Sequence, residues 1–182
     1  MEIINNVLNN TSYKYLLNTI DNSNFSWHYK KNVHYPKIIS NDIKSHGFLH
    51  LLFWDNKIQS QYFDITLNIL FTICDKLNLN FESIIRAHAA LSLNIGGQHD
   101  GFPHTDIDES SDIWKNPNWK TVIYYLNTSD GDTVFYDNGN IFFRSPPEKN
   151  KAIIFDGKIQ HSAMLPVNNP YRITLNFNFL YD

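Results

Sequence analysis

The stretch Arg172–Leu180, RITLNFNFL, alternates without a break. Successive side chains of a strand point to opposite faces. Ile173, Leu175, Phe177 and Phe179 therefore share one face, and Arg172, Thr174, Asn176 and Asn178 share the other. The apolar face must pack into a core. The other carries a guanidinium, a hydroxyl and two amides, and faces solvent or a cavity.

Working back along the chain, four more runs read as short strands: 83–95, 121–127, 133–136 and 151–155. Turn signals separate them at Gly96-Gly97, Asp130-Gly131, Pro146-Pro147, Asp156-Gly157 and Asn168-Asn169-Pro170. The texture before Asn78 is different. Ile4, Val7, Leu8 and Leu16 predict an amphipathic helix over 4–20. Ile65, Ile69, Ile73 and Leu77, spaced by four, predict a second helix over 59–77. Between the two, residues 24–54 are aromatic and irregular (FSWHY, VHYP, HGFLHLLFW) and hold one or two strands with loops. Helices first and short strands after is the order of a β-sandwich or jelly roll with a helical buttress. No repeat or long linker divides the chain, so one domain is expected over 1–182.

Bulk properties narrow the function classes. The chain has 182 residues, 42% hydrophobic and 15% aromatic, enough for a folded core. A formal charge of −3 gives no basic footprint, so no nucleic-acid partner is expected. Cys74 is the only cysteine, which excludes an internal disulfide and fits a reducing compartment. The N-terminus MEIINNVLNN lacks a signal peptide's basic start and apolar core, and the apolar run 48–54 is too short to span a bilayer. A cytoplasmic protein with no membrane partner is expected. Abundant Asn, Ile, Lys, Tyr and Phe point to an A/T-rich genome, of a virus or a low-GC bacterium, and a viral chain would work in its host's cytoplasm.

The chemistry concentrates at His104-Thr105-Asp106. Two residues two apart on an extended segment point the same way, so an imidazole and a carboxylate can reach one metal. A third candidate ligand, His161, follows the Asp156-Gly157 turn. Two histidines and a carboxylate on one face of an iron leave positions for a chelating co-substrate and O2. His99, Asp100 and Asp108 crowd the triplet as loop residues that at most orient its ligands. His46, His50, His88 and Cys74 read as structural.

From His104 onward, the motifs HTD (104–106), IYYLN (123–127), DGDTVF (130–135), IIFDGKIQHSA (153–163) and YRIT (171–174) occur in one order. In that order the chain resembles the prolyl-hydroxylase-like branch of the Fe(II)/2-oxoglutarate dioxygenases, over about residues 91–182. The resemblance implies a double-stranded β-helix (jelly roll, cupin-like) core over 83–182, with 1–82 as a helical and irregular buttress. It implies Fe(II) on His104, Asp106 and His161. Arg172 would bind the far carboxylate of 2-oxoglutarate, with Thr174 and Tyr125 also at the co-substrate. Asn94 stands where some relatives carry a tyrosine. O2, and ascorbate as an accessory reductant, complete the implied set. The implied reaction hydroxylates a C–H bond and releases succinate and CO2.

The substrate expected from this branch is a prolyl residue in a peptide or protein. The alternatives are a free amino acid or other small metabolite. Nucleic-acid demethylases resemble the pattern but carry a second arginine six residues after the co-substrate arginine, where this chain has Asn178. A non-enzymatic jelly-roll binding module, or a cupin-like enzyme without a keto acid, would have no need of Arg172 and Thr174 behind the triad. Trp27, His28, Tyr29, Trp54 and the loop from Trp114 to Trp119 are candidate rim residues.

Overall fold

The structure is a computed structural model that describes residues 1–30, 46–96 and 101–182. The VHYP segment, Gly97, His99 and Asp100 lie outside the described residues. In chain order the elements are β1 (Glu2–Ile4), α1 (Asn10–Ile20), β2 (His28–Lys30), β3 (Gly47–Trp54), β4 (Lys57–Ile58), α2 (Phe63–Leu77) and β5 (Phe81–Leu93). They continue with α3 (Asp112–Lys115), β6 (Trp119–Tyr125), β7 (Thr133–Asp137), β8 (Asn140–Ser145), β9 (Lys151–Asp156), β10 (Gln160–Ala163) and β11 (Tyr171–Tyr181).

Two antiparallel sheets face each other, the arrangement of a jelly roll. The major sheet runs β1-β9-β6-β11-β5-β3-β2, with β4 paired to β3, and the minor sheet runs β10-β7-β8. The alternation of β11 decides the layers. Ile173, Leu175, Phe177 and Phe179 are buried in a core shared with α1 and α2. Arg172, Thr174 and Asn176 line a cavity between the sheets. A second, smaller core of Ile123, Tyr125, Phe135, Ile153 and Phe155 closes the space between the sheets beside it.

Helix α2 covers the convex side of the major sheet. Its four-residue spacing buries Ile69 and Ile73 and packs Ile65 and Leu77 against the same core. Full burial of one such side chain stabilises by about 1.5–3 kcal/mol. Asp64 in its first turn and Lys76 in its last match the helix dipole, and Asn78 ends it in the left-handed conformation at φ 52°. The helix begins at Phe63 rather than at residue 59.

Helix α1 is shorter than the spacing predicted. Ile4 belongs to β1, which pairs with β9, and Asn9 caps the helix by accepting from the Ser12 N–H. Asparagine competes for backbone hydrogen bonds, so a run of them favours a cap over a helix interior. Strands β1, β2 and β3 also carry the 1–82 segment into the major sheet, so the sheet crosses the expected boundary between buttress and core. The reading also missed β8. The strand expected to end at Tyr136 runs to Asp137 and turns back through Asn138-Gly139, at φ 48° and 80°. Asn-Gly is the pair that a two-residue hairpin with two positive φ angles favours.

Candidate functional site

His104, Asp106 and His161 meet on the concave side. Their candidate ligand atoms lie within 4.8 Å of one another. Backbone pairing brings them there. His104 and His161 form an isolated antiparallel bridge, with N···O distances of 3.0 and 2.9 Å, which extends the minor sheet at the edge of β10. Gly101 makes the approach feasible, because a Cβ at that position would overlap the backbone carbonyl of Ala163.

Both imidazoles are oriented by backbone carbonyls. Nδ1 of His104 donates to Phe102 O at 2.9 Å, and Nδ1 of His161 donates to Ile159 O at 3.1 Å. A carbonyl only accepts, so the tautomer is set and the metal-binding nitrogen of each ring is Nε2. The His161 ring also stands edge-on against Phe155, with centroids 4.9 Å apart.

The Asp106 carboxylate is ionised. Burial pushes its pKa up, but the guanidinium of Arg86, then His161, His104 and the Asn178 amide outweigh that and hold it well below the usual carboxylate range. Two imidazoles and an anionic oxygen, ordered before any ion arrives, fit an iron-type metal.

At the end of the cavity sits Arg172. It is 4% exposed, and its Nη2 donates to Thr133 Oγ1 at 2.8 Å. Its Nε is buried with no hydrogen-bond partner among the described residues. No carboxylate lies within ion-pair distance of it there, and the nearest π face is the Tyr125 ring, 5.5 Å away. Burial lowers its pKa, and a guanidinium stays charged in proteins. A buried guanidinium without an anion is costly unless a ligand completes it, and its fork matches a carboxylate. The residues present therefore fit a dicarboxylate that reaches from the metal position to Arg172.

Thr174 lines the cavity on the same face as Arg172. Tyr125, expected at the co-substrate, lies behind it: it is fully buried, absent from the cavity lining, and donates to Thr133 Oγ1 at 2.8 Å. It braces Thr133 and stands beside Arg172. Thr133 itself went unread, although it stands in the DGDTVF motif. Asn94 also lies off the cavity, donating to Val167 O at 2.5 Å.

The cavity, about 900 Å³, continues past the triad along β3 and β5. His28 and Trp54 line it, as the sequence suggested. Trp27 and Trp119 are core residues, and Tyr29 points outward, 57% exposed. Asp108 lines the cavity and accepts from Ser110. His50 and Cys74 sit in structural settings: His50 Nδ1 donates to Ser26 O at 2.6 Å, and Cys74 is on the buried face of α2. His46 and His88, read as structural, both line the cavity. Arg86 and Asn178 also went unread as site residues. Position 178 lacks an arginine, but Arg86 on the neighbouring strand hydrogen-bonds it at 3.1 Å, so the sequence contrast with the demethylases loses its structural force and charge alone carries it.

Burial, with help from Arg86, drives the His88 pKa down to about 3. An unfolded histidine titrates near 6.5. Below that pH the unfolded chain binds a proton that the folded one does not. His88 therefore subtracts nothing above about pH 6.5 and costs stability as the pH falls from there toward 3, by up to roughly 1.4 kcal/mol per unit. Urea unfolding of metal-free protein between pH 7 and 5 should show His88→Gln losing stability less steeply than the wild type. Equal slopes would mean that His88 is not held neutral.

No protein-family profile and no curated protein matches the chain. Solved structures do. A prolyl-4-hydroxylase from Pseudomonas putida superposes with a TM-score of 0.62 at 15% identity, over 100% of this chain and 92% of its own. A prolyl hydroxylase from Trichoplax adhaerens, in complex with a hypoxia-inducible-factor oxygen-degradation-domain peptide fragment, gives 0.63 at 16%, over 98% and 82%. A viral collagen prolyl hydroxylase from Paramecium bursaria Chlorella virus-1, in complex with 2-oxoglutarate, gives 0.56 at 16%, over 100% and 96%. The chain has the jelly-roll fold of these oxygenases.

Proposed function

We propose that the chain is an Fe(II)- and 2-oxoglutarate-dependent oxygenase that hydroxylates a C–H bond, with a prolyl residue of a peptide or protein as its substrate. One observation carries this reading: the His104–Asp106–His161 group and the guanidinium of Arg172, which has no ion pair among the described residues, open into the same cavity. A binding module has no use for that pairing. The fold shared with prolyl hydroxylases, one of them in complex with a peptide, supports the substrate class.

His104, Asp106 and His161 would hold the iron, and Arg172 with Thr174 would hold the far end of 2-oxoglutarate. Bound iron, with 2-oxoglutarate and O2, supplies the oxidising power for an unactivated C–H bond and releases succinate and CO2; ascorbate would keep the metal reduced. The protein's own part is orientation and exclusion of water. The carbonyls of Phe102 and Ile159 fix the imidazoles. Thr133, braced by Tyr125, sets the Arg172 fork. Leu49, Leu51 and Trp54 give the outer cavity an apolar wall suited to a pyrrolidine ring.

A free amino acid is the second reading, favoured by Lys30 on the cavity wall, which offers an ammonium to a carboxylate. The test incubates Fe(II)-loaded protein with 2-oxoglutarate and ascorbate beside proline-containing peptides and free amino acids. Succinate release and one added oxygen atom on a peptide are expected. Oxygen added only to a free metabolite would overturn the peptide substrate, and no succinate with any substrate would overturn the oxygenase.

A further inference from the structure

Arg86 touches the candidate metal site from a different strand. It lies on β5, and its ladder partner is Asn178 on β11. Its Nη2 donates to Asp106 Oδ1 at 2.6 Å, and its Nε donates to Asn178 Oδ1 at 3.1 Å. Asn178 Nδ2 donates in turn to Asp106 Oδ2 and to Thr121 Oγ1, both at 2.9 Å. Guanidinium, amide and carboxylate thus close a ring. The ring also fixes the amide, since exchanging its oxygen and nitrogen would set donor against donor at Arg86. The Arg86 side chain is 17% exposed and that of Asp106 is 6% exposed, so these charge-assisted contacts are poorly screened.

The two oxygens of Asp106 are not equivalent. Oδ2 lies 3.8 Å from His161 Nε2 and faces the imidazoles, whereas Oδ1 is held by the guanidinium. A carboxylate can bind a divalent cation through one oxygen or two. Two-oxygen binding here would require Oδ1 to swing toward the imidazoles and leave Arg86. We infer that Arg86, acting with Asn178, is a positioning residue that confines Asp106 to one-oxygen metal coordination. This inference rests on the oxygenase reading, which gives it a purpose. Two imidazoles and one oxygen leave roughly three positions on a six-coordinate ion, two for the keto acid and one for O2. A second Asp106 oxygen would occupy one of them.

The test uses anaerobic full-length protein with Mn(II) as the probe. Metal affinity is followed by electron paramagnetic resonance, rapidly exchanging waters by water-proton relaxation, and 2-oxoglutarate binding by calorimetry. The wild type is expected to keep roughly three waters and Arg86→Met roughly two. Mn(II) should bind Arg86→Met at least as tightly as wild type, because a second oxygen joins and a nearby positive charge is gone. Affinity for 2-oxoglutarate should fall by about 10–100-fold, the scale on which outer partners of a metal ligand act. Where Arg86→Met does not fold, Arg86→Gln, which cannot span Asp106 and Asn178 with charge, is expected to change in the same directions. Wild-type water count and 2-oxoglutarate affinity in the folded variant would overturn the clamp. Mn(II) affinity lost together with melting temperature would also overturn it, marking Arg86 as support for the fold alone. A wild type that binds neither Mn(II) nor 2-oxoglutarate would overturn the oxygenase reading itself.

Discussion

His161→Ala is expected to abolish 2-oxoglutarate turnover while the protein still folds. The backbone bridge to His104 uses only N–H and C=O groups, so it survives loss of the ring. The ring's packing against Phe155 is lost, at a cost of about 1–3 kcal/mol. The metal site loses one of three donors. Its affinity should fall by more than the roughly 10–100-fold that loss of a ligating histidine's hydrogen-bond partner typically costs. Anaerobic titration with Fe(II) or Mn(II), beside a thermal melt, reads both effects. Metal bound as tightly as in wild type would remove His161 from the site. Asp106→Ala should be as damaging to metal binding but harder to interpret, because it also strands Arg86 beside the cavity. Asp108→Ala should do far less, since that carboxylate serves Ser110 in its own loop.

How much of this was legible in the sequence follows from the range of each signal. Two-residue parity is local. It placed His104 and Asp106 together, and it sorted β11 into a core face and a cavity face, as the burial of Ile173, Leu175, Phe177 and Phe179 bears out. The four-residue spacing of α2 is equally local and was legible. The Asn138-Gly139 hairpin is equally local, with both residues at positive φ, yet it is absent from the turns expected above.

Partners set by register between strands were not legible. Arg86 meets Asn178 only because β5 and β11 pair in one alignment, and no spacing along the chain encodes that. The same holds for Thr133, which reaches Arg172 across the gap between the sheets. Tyr125 was expected at the co-substrate from its place in a motif; the structure buries it between the sheets, with its hydroxyl on Thr133 and its ring beside Arg172.

Arg172→Ala separates a ligand-binding arginine from a structural one, because the two roles predict opposite changes in the free protein. A buried arginine that holds the fold together has a carboxylate partner, and its removal strands that partner. Arg172 has a hydroxyl and an aromatic face, and a buried Nε with nothing to donate to among the described residues. Removing it relieves a desolvated charge that has no ion pair among the described residues, so the melting temperature of the ligand-free protein should stay level or rise. Binding should respond in the other direction. Loss of a charge-assisted contact in a buried site costs about 2–5 kcal/mol, which is a rise of roughly 30- to several-thousand-fold in the apparent 2-oxoglutarate constant. Arg172→Lys keeps the charge but lacks the fork, so its constant should lie between the two. The stabilisation that 2-oxoglutarate gives the metal-loaded wild type should vanish in Arg172→Ala at the same ligand concentration. Succinate-release kinetics and melts with and without 2-oxoglutarate measure all of this. An unchanged constant, with a lowered melting temperature in the free protein, would make Arg172 a structural residue and remove the co-substrate from this end of the cavity.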